Sequence, residues 1–388
     1  MIKLHIWPDV AREENGWITA GFTIEEPSGA AVQIWYRLPA SYSSAITKTC
    51  DPFVVATIFR AMQASADLQV HGEVSPSLLR NLQEFQSVWA CWKPERYSQI
   101  EVQADVERER APAKPSAAVM TFSGGVDSCF TAWRHRRRLA GRQVQNLQAG
   151  LMIHGFDIPL HQTDTFLRAA DSARATLDSV GMELIPLIHN SKYLQTDLED
   201  SHATILASCM MLLQQRFSVG LIASSVPYLH FLYGWQFPFG STPLTDWMLS
   251  SQAFSIIEDG AAYTRVDKVR EISAWPEALR YLRVCLAKEA RLRDRNCCRC
   301  EKCVRNILTF RALGLDRPAC FEQDVSVAQI LRLRYSNMVR MFYIELLLKA
   351  AREQPASGIW LAALRTNLLI NRIRYHLKHS AMWKAWHR

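Results

Sequence analysis

No run of 18 or more apolar residues occurs in the 388-residue sequence, which excludes an obvious hydrophobic membrane-spanning helix. Met1 to Ala30 shows none of the basic start, apolar stretch and small-residue cleavage site of a secretory leader. Both absences lead to the expectation of a cytoplasmic protein whose ten cysteines are reduced thiols, some of them available as metal ligands. Acidic residues are scarce in one region, since from Leu331 to Arg388 eleven Lys and Arg face only Glu345 and Glu353. The whole chain carries +8, so the rest is close to neutral, and an electrostatic partner would meet this tail. The Gly-rich turn near residue 124 also lacks a following Gly-Lys-Ser/Thr, which excludes a phosphate loop of the Walker type.

What is present is an ordinary globular composition, 49% apolar and 21% charged, with length enough for two or three domains. The first hundred or so residues alternate apolar and polar positions in IKLHIW, GWITAGFTI and AVQIWYRL, which predicts strands. Helical patterns follow over Phe53 to Met62 and Ser77 to Trp92, the second with Ser75 as N-cap before Pro76, and short strands over Leu68 to Val70 and Gln99 to Val102. Residues 1–110 therefore read as an α+β module. Its Trp7, Trp17, Trp35, Trp89 and Trp92 fit a core better than a surface. A charged, Pro-bearing linker covers 111–116.

From Ala117 strands and helices alternate, which predicts an α/β class with a doubly wound, mostly parallel sheet over 117–320. Strands are expected at Ala117 to Phe122, Leu147 to Ile153, Glu183 to Ile188 and Val219 to Ala223, with helices at Asp164 to Val180 and His202 to Phe217. Ligands in such sheets sit beyond the strand C-termini, which makes Ser123 to Ser128, His154, Asp157, His189, Asn190, Ser224 and Ser225 candidates. His154 and His202 fit hydrogen-bonded structural roles better than catalytic ones, whereas Asp157 could meet ribose hydroxyls or a metal. The aromatic stretch Pro227 to Gly240 and the polar run Ser241, Thr242 and Asp246 could form a substrate loop or a packed surface loop. Residues 321–388 read as a basic helical extension. Its long apolar runs favour an amphipathic hairpin packed on the body or on another subunit.

Two motifs carry chemistry. In SGGVDS, Gly124 and Gly125 can adopt positive φ, so that successive amides converge on an anion at the following helix N-terminus, with Ser123 and Ser128 adding hydroxyls. Asp127, an acid beside an anion site, would reach Mg²⁺ or order the loop. Arg265 and Lys268 could reach a triphosphate or its leaving group. Further on, Cys285, Cys297, Cys300 and Cys303 stand in a C-x11-C-x2-C-x2-C pattern suited to a closed, structural Zn²⁺ site, with Cys298 surplus or in place of Cys297. An iron–sulfur cluster, redox thiols and unliganded core thiols are the alternatives. A helix is expected from Val304 to Leu313, stopping at Gly314.

SGGVDS in its strand–loop–helix context resembles the pyrophosphate loop of the N-type ATP pyrophosphatases, and together with the late cysteine set it is similar to the 7-cyano-7-deazaguanine synthases. The resemblance covers roughly Ala117 to Gly314. It implies an adenine nucleotide alpha-hydrolase-like fold and ATP, Mg²⁺ and structural Zn²⁺ as cofactors. It further implies adenylation of a carboxylate, with loss of pyrophosphate, followed by attack of ammonia or an amine, on a deazapurine acid or a protein partner. Ser123, Gly124, Gly125, Val126, Asp127 and Ser128 match the loop, with Met152, His154 and Asp157 near the adenine and ribose. A tRNA-thiolating enzyme, with nucleic acid on the basic tail, and a non-catalytic nucleotide-binding module that recruits a protein are the rival readings.

Overall fold

The structure, a computed structural model, describes the chain apart from residues 1, 114–115, 233–237, 286–293, 336–337, 355–357 and 387–388. Part of the aromatic stretch, part of the linker and most of the chain between the first two zinc-type cysteines thus lie outside the described residues. The protein is an α/β protein that divides into two compact units. The first comprises Met1–Ser123, Thr131–Val226 and Trp235–Ala261, and the second Gly124–Phe130, Pro227–Gly234 and Ala262–Arg388.

The first unit holds one eleven-stranded sheet. Its strands are β1 (Lys3–Pro8), β2 (Arg12–Glu14), β3 (Trp17–Glu25), β4 (Ala31–Pro39), β5 (Asp67–Val74), β6 (Val102–Glu107), β7 (Ala118–Thr121), β8 (Leu147–His154), β9 (Glu183–His189), β10 (Val219–Ala223) and β11 (Ser255–Asp259). They lie in the order β11-β10-β7-β8-β9-β4-β3-β1-β5-β6, with β2 on the edge of β3. From β11 to β9 every pairing is parallel. Hence β8, LQAGLMIH, is buried along nearly its whole length, as a strand covered on both faces must be. By contrast β3 alternates, with Ile18, Ala20, Phe22 and Ile24 inward, so its other face is largely left to solvent.

Residues 1–110 do not form a sheet of their own. β4 pairs antiparallel with β9 through Tyr36 opposite His189, and the N-terminal strands extend the parallel sheet. Side chains decide several details. β6 starts at Val102, later than the sequence pattern suggests, because the Gln86 and Asp67 side chains take the amides of Ile100 and Glu101. Ser75 stands at the N-cap without capping, since its hydroxyl donates instead to the buried Asp51 at 2.7 Å. β11, reading SIIED, is too short and too polar at its end to stand out from sequence, and its parallel register with β10 creates it.

The helices are α1 (Asp51–Ala64), α2 (Pro76–Trp92), α3 (Val126–Arg136), α4 (Thr163–Asp178), α5 (Leu198–Met211), α6 (Leu229–Leu232), α7 (Arg265–Ile272), α8 (Pro276–Tyr281), α9 (Glu301–Ala312), α10 (Val327–Arg332), α11 (Met338–Glu353) and α12 (Ile359–Trp386). Helices α6 to α12 and the first turns of α3 make the second unit. There α11 packs on α7 and α9, and α12 packs on α10 and α11, which is the expected helical hairpin laid on its own unit. No helix among the described residues is long and apolar enough to cross a membrane.

Candidate functional site

Within the sheet, β7 is the strand where connectivity reverses: β8 and β9 follow on one side and β10 and β11 on the other. Parallel sheets bind ligands beyond the C-terminal end of the strand at such a switch. The chain leaves β7 there into Ser123, which is exposed. Gly124 then adopts φ +72°, a conformation that costs other residues strain, and its carbonyl accepts from the Arg283 amide at 2.8 Å. Gly125 does not take positive φ, contrary to expectation, because α3 begins at the next residue and Gly125 is already accepting its bonds from Cys129 N and Ser128 Oγ.

The second unit gathers charge on the first turn of α3. Arg265 at the start of α7 and Lys268 one turn later share a helix face, and a capping box between Thr264 and Asp267 fixes that start. Arg265 Nη2 lies 2.8 Å from Asp127 Oδ2 and Lys268 Nζ 3.1 Å from Asp127 Oδ1. Burial would raise the Asp127 carboxyl, but the two cations overcome it and hold it below its ordinary value. Lys268 is itself buried, with its ammonium 5.7 Å from the Phe130 ring centre. Both Asp127 oxygens are therefore taken by cations here, rather than presented to a metal.

Further cations that the sequence pattern did not single out belong to the same unit. Lys302 and Arg305 lie on one face of α9, and burial pulls both below their usual ranges. Arg305 pairs with Glu301 at 3.2 Å and sits over the Tyr343 ring, while its Nε has no hydrogen-bond partner among the described residues. Arg265, Lys268, Lys302 and Arg305 thus outnumber Asp127 and Glu301 by four charges to two. Such an excess in a desolvated place suits an anion. The spacing Lys302-x-x-Arg305 after Cys300 was the available signal, masked by the cysteines around it.

The four cysteines do converge. The sulfurs of Cys285, Cys297, Cys300 and Cys303 all lie within 4.8 Å of one another, with Cys285 to Cys300 and Cys297 to Cys303 both 3.9 Å. A tetrahedral ion about 2.3 Å from each sulfur has edges of about 3.8 Å, so the set fits a structural metal such as zinc. Hydrogen bonds with Cys285 and Cys300, and then burial, push the Cys303 thiol far up, so ionisation of the set calls for a cation. Cys298 takes φ +55° and turns its sulfur towards the Asn296 carbonyl, which leaves Cys297 in the set. Asn296, unremarked in the sequence, locks the neighbourhood through Val284 N, Leu282 O and Cys320 O.

The other candidates sit in the first unit, in structural settings. His154 is buried, bonds the Pro159 carbonyl at 3.0 Å and stacks on Phe166, and burial lowers its pKa. Met152 is in the core and Asp157 lies just past β8 at an intermediate depth. His189 Nδ1 donates to the Trp35 carbonyl, and Asn190 bridges β4 through Trp35 N and Gln33 O. His202 bonds the Glu199 carbonyl. Ser224 donates to Val226 O, while Ser225 follows at intermediate depth. Ser241, Thr242 and Asp246 close on one another: Ser241 Oγ donates to Asp246 Oδ2 at 2.6 Å and Thr242 N to Oδ1 at 2.9 Å, all three being buried. They form a self-satisfied turn rather than an open substrate contact. Of the five tryptophans expected in a core, Trp89 is buried and Trp92 is half-buried against the core beside it, whereas Trp7 is exposed and Trp17 and Trp35 are half-buried on the open sheet face.

Compared with protein-family models, with curated proteins and with solved structures, the chain matches none.

Proposed function

We propose that the chain is an ATP pyrophosphatase-type ligase, of the adenine nucleotide alpha-hydrolase-like fold and similar to the 7-cyano-7-deazaguanine synthases. It activates a substrate carboxylate as an acyl-adenylate for attack by ammonia or an amine. The observation that carries the reading is the placement of SGGVDS after β7, the switch strand, together with Arg265 and Lys268 on Asp127 at the start of α3. Loop amides from Gly124 onward would hold the pyrophosphate, with Ser123 beside them and the Ser128 hydroxyl joining once it turns from the Gly125 carbonyl. Arg265 and Lys268 would stabilise the charge that develops on the leaving pyrophosphate, supported by Lys302 and Arg305. Asp127, with both oxygens held by Arg265 and Lys268, would order the loop and position those two cations rather than hold Mg²⁺. The four cysteines would hold Zn²⁺ as a structural ion, since no ligand position is left for chemistry.

In balance, the substrate carboxylate oxygen bonds to the α-phosphorus of ATP and the bond to the β-phosphate bridging oxygen breaks, releasing pyrophosphate. The amine then bonds to the carbonyl carbon as AMP leaves. Incubation of the protein with ATP labelled at the α-phosphate, Mg²⁺, ammonia and a panel of carboxylic acids should yield AMP and pyrophosphate. Formation of ADP and phosphate, or no turnover with any acid, sinks the proposal. Ser123→Ala should abolish AMP formation with an unchanged circular-dichroism spectrum.

A further inference from the structure

The open face of the N-terminal strands carries a groove of about 650 Å³ that no part of the loop chemistry uses. Its origin is in the register. β1 pairs with the far part of β3, Pro8 opposite Phe22, and β2 with the near part, Arg12 opposite Thr19. Between them the chain crosses at Asp9, whose amide donates to Gly21 O at 2.9 Å. Gly21 stands opposite Trp35, and a Cβ there would collide with the Ile34 carbonyl. With no side chain at Gly21, the sheet is bare beside the Trp35 indole.

The lining is flat and oriented. Strand alternation turns Trp17 on β3 and Trp35 and Arg37 on β4 outward, with Ile34, Tyr36 and Leu38 buried behind them. The Arg37 guanidinium lies 5.4 Å from the Trp35 ring centre and donates to Thr19 Oγ1. On the other side Asp9 accepts from Thr23 Oγ1 at 3.1 Å and from Gln33 Nε2 at 2.8 Å. Those two neutral donors fix the carboxylate but leave its charge and its remaining lone pairs available. In total, Arg12 and Arg37 balance Asp9 and Glu14, so the lining is electroneutral. A phosphodiester chain needs an excess of cations, which this groove lacks.

We infer that this groove binds a neutral, flat nitrogen heterocycle of nucleobase size, stacked on Trp35 with its N–H edge on the Asp9 carboxylate. Indole and guanidinium planes present the surfaces on which such rings stack, and a carboxylate acceptor selects a ring edge that carries N–H donors. The groove volume is within the ordinary range for small-molecule sites. This inference does not depend on the adenylation reading, since Trp35, Asp9 and the loop are separate residues of separate elements.

Isothermal titration of the full chain with adenosine, guanosine, cytidine and uridine, and with glucose and maltose for contrast, tests it. At least one nucleoside should bind with an affinity little changed between low and high salt. Trp35→Ala and Asp9→Asn should each weaken it about tenfold or more. Trp35→Phe should restore most of the affinity, and Ser123→Ala should leave it unchanged, which separates this groove from the nucleotide loop. Circular dichroism and the Tm of each variant confirm that the outward-facing substitutions leave the fold intact. The inference is overturned if no nucleoside binds, if binding survives Trp35→Ala undiminished, or if it is lost in Ser123→Ala.

Discussion

Two carboxylates in this protein, Asp127 in the second unit and Asp246 in the first, are both penalised by desolvation and answer it in opposite ways. Asp127 lies against Arg265 and Lys268, and its carboxyl is held below the ordinary value. Among the described residues the Asp246 carboxyl has only the Ser241 hydroxyl and the Thr242 amide as partners, and burial pushes it up to about 7. Hydrogen bonds from neutral donors offset part of a burial cost, whereas two adjacent cations outweigh it. The consequence is functional as well as energetic. A turn whose polar groups satisfy one another has nothing left for a ligand, and a cluster with surplus positive charge does.

The widest separation between the two regions should come from the cysteines. Chelation, or Cys297→Ser, should remove the metal bound by the chain and lower the Tm by more than about 10 °C, while Cys298→Ser leaves metal content unchanged. Metal analysis by mass spectrometry beside thermal melts checks both, and equal loss in the two variants would refute the ligand set. Next in size is Asp127→Ala, which leaves the buried Lys268 without its carboxylate. It should cost about 3 kcal/mol in urea unfolding, and AMP formation should fall below detection. A fully stable Asp127→Ala would mean that the pair is weaker than its geometry suggests.

Asp246 supplies the opposite sign. Between the ordinary 3.8 and about 7 the native state binds more protons at this site than the unfolded chain, so its contribution to stability falls as pH rises through that window. Asp246→Asn keeps an acceptor for Thr242 N and an N–H for Ser241 Oγ. It should therefore stabilise the protein by on the order of 1–2 kcal/mol at pH 8 and remove part of the pH slope, read from urea midpoints at several pH values. A loss of stability at pH 8 would show that the charged form is the one built in. The smallest effect is expected from Ser241→Ala, about 1 kcal/mol with AMP formation unaffected, and a large loss of activity there would reopen the turn as a substrate contact.

Much of this was open to a reader of the sequence. Alternation in GWITAGFTI and the apolar run of LQAGLMI announce β3 and β8, Val219 to Ala223 is β10, and Gly314 ends α9 as written. These are local matters, governed by the period of burial and by the few residues that tolerate a left-handed turn. The two-residue spacing of the late cysteines likewise dictates that their sulfurs can meet. What local pattern could not carry was pairing across long stretches of chain. Tyr36 against His189 merges the N-terminal strands into the parallel sheet, and the crossing at Asp9 over Gly21 turns tryptophans that read as core into the lining of a groove. Arg265, Lys302 and Arg305 gain their meaning only from which carboxylates folding leaves beside them. Sequence fixes residue type and local period, but the balance of charge and the choice of exposed face are sums over neighbours that only the tertiary structure assembles.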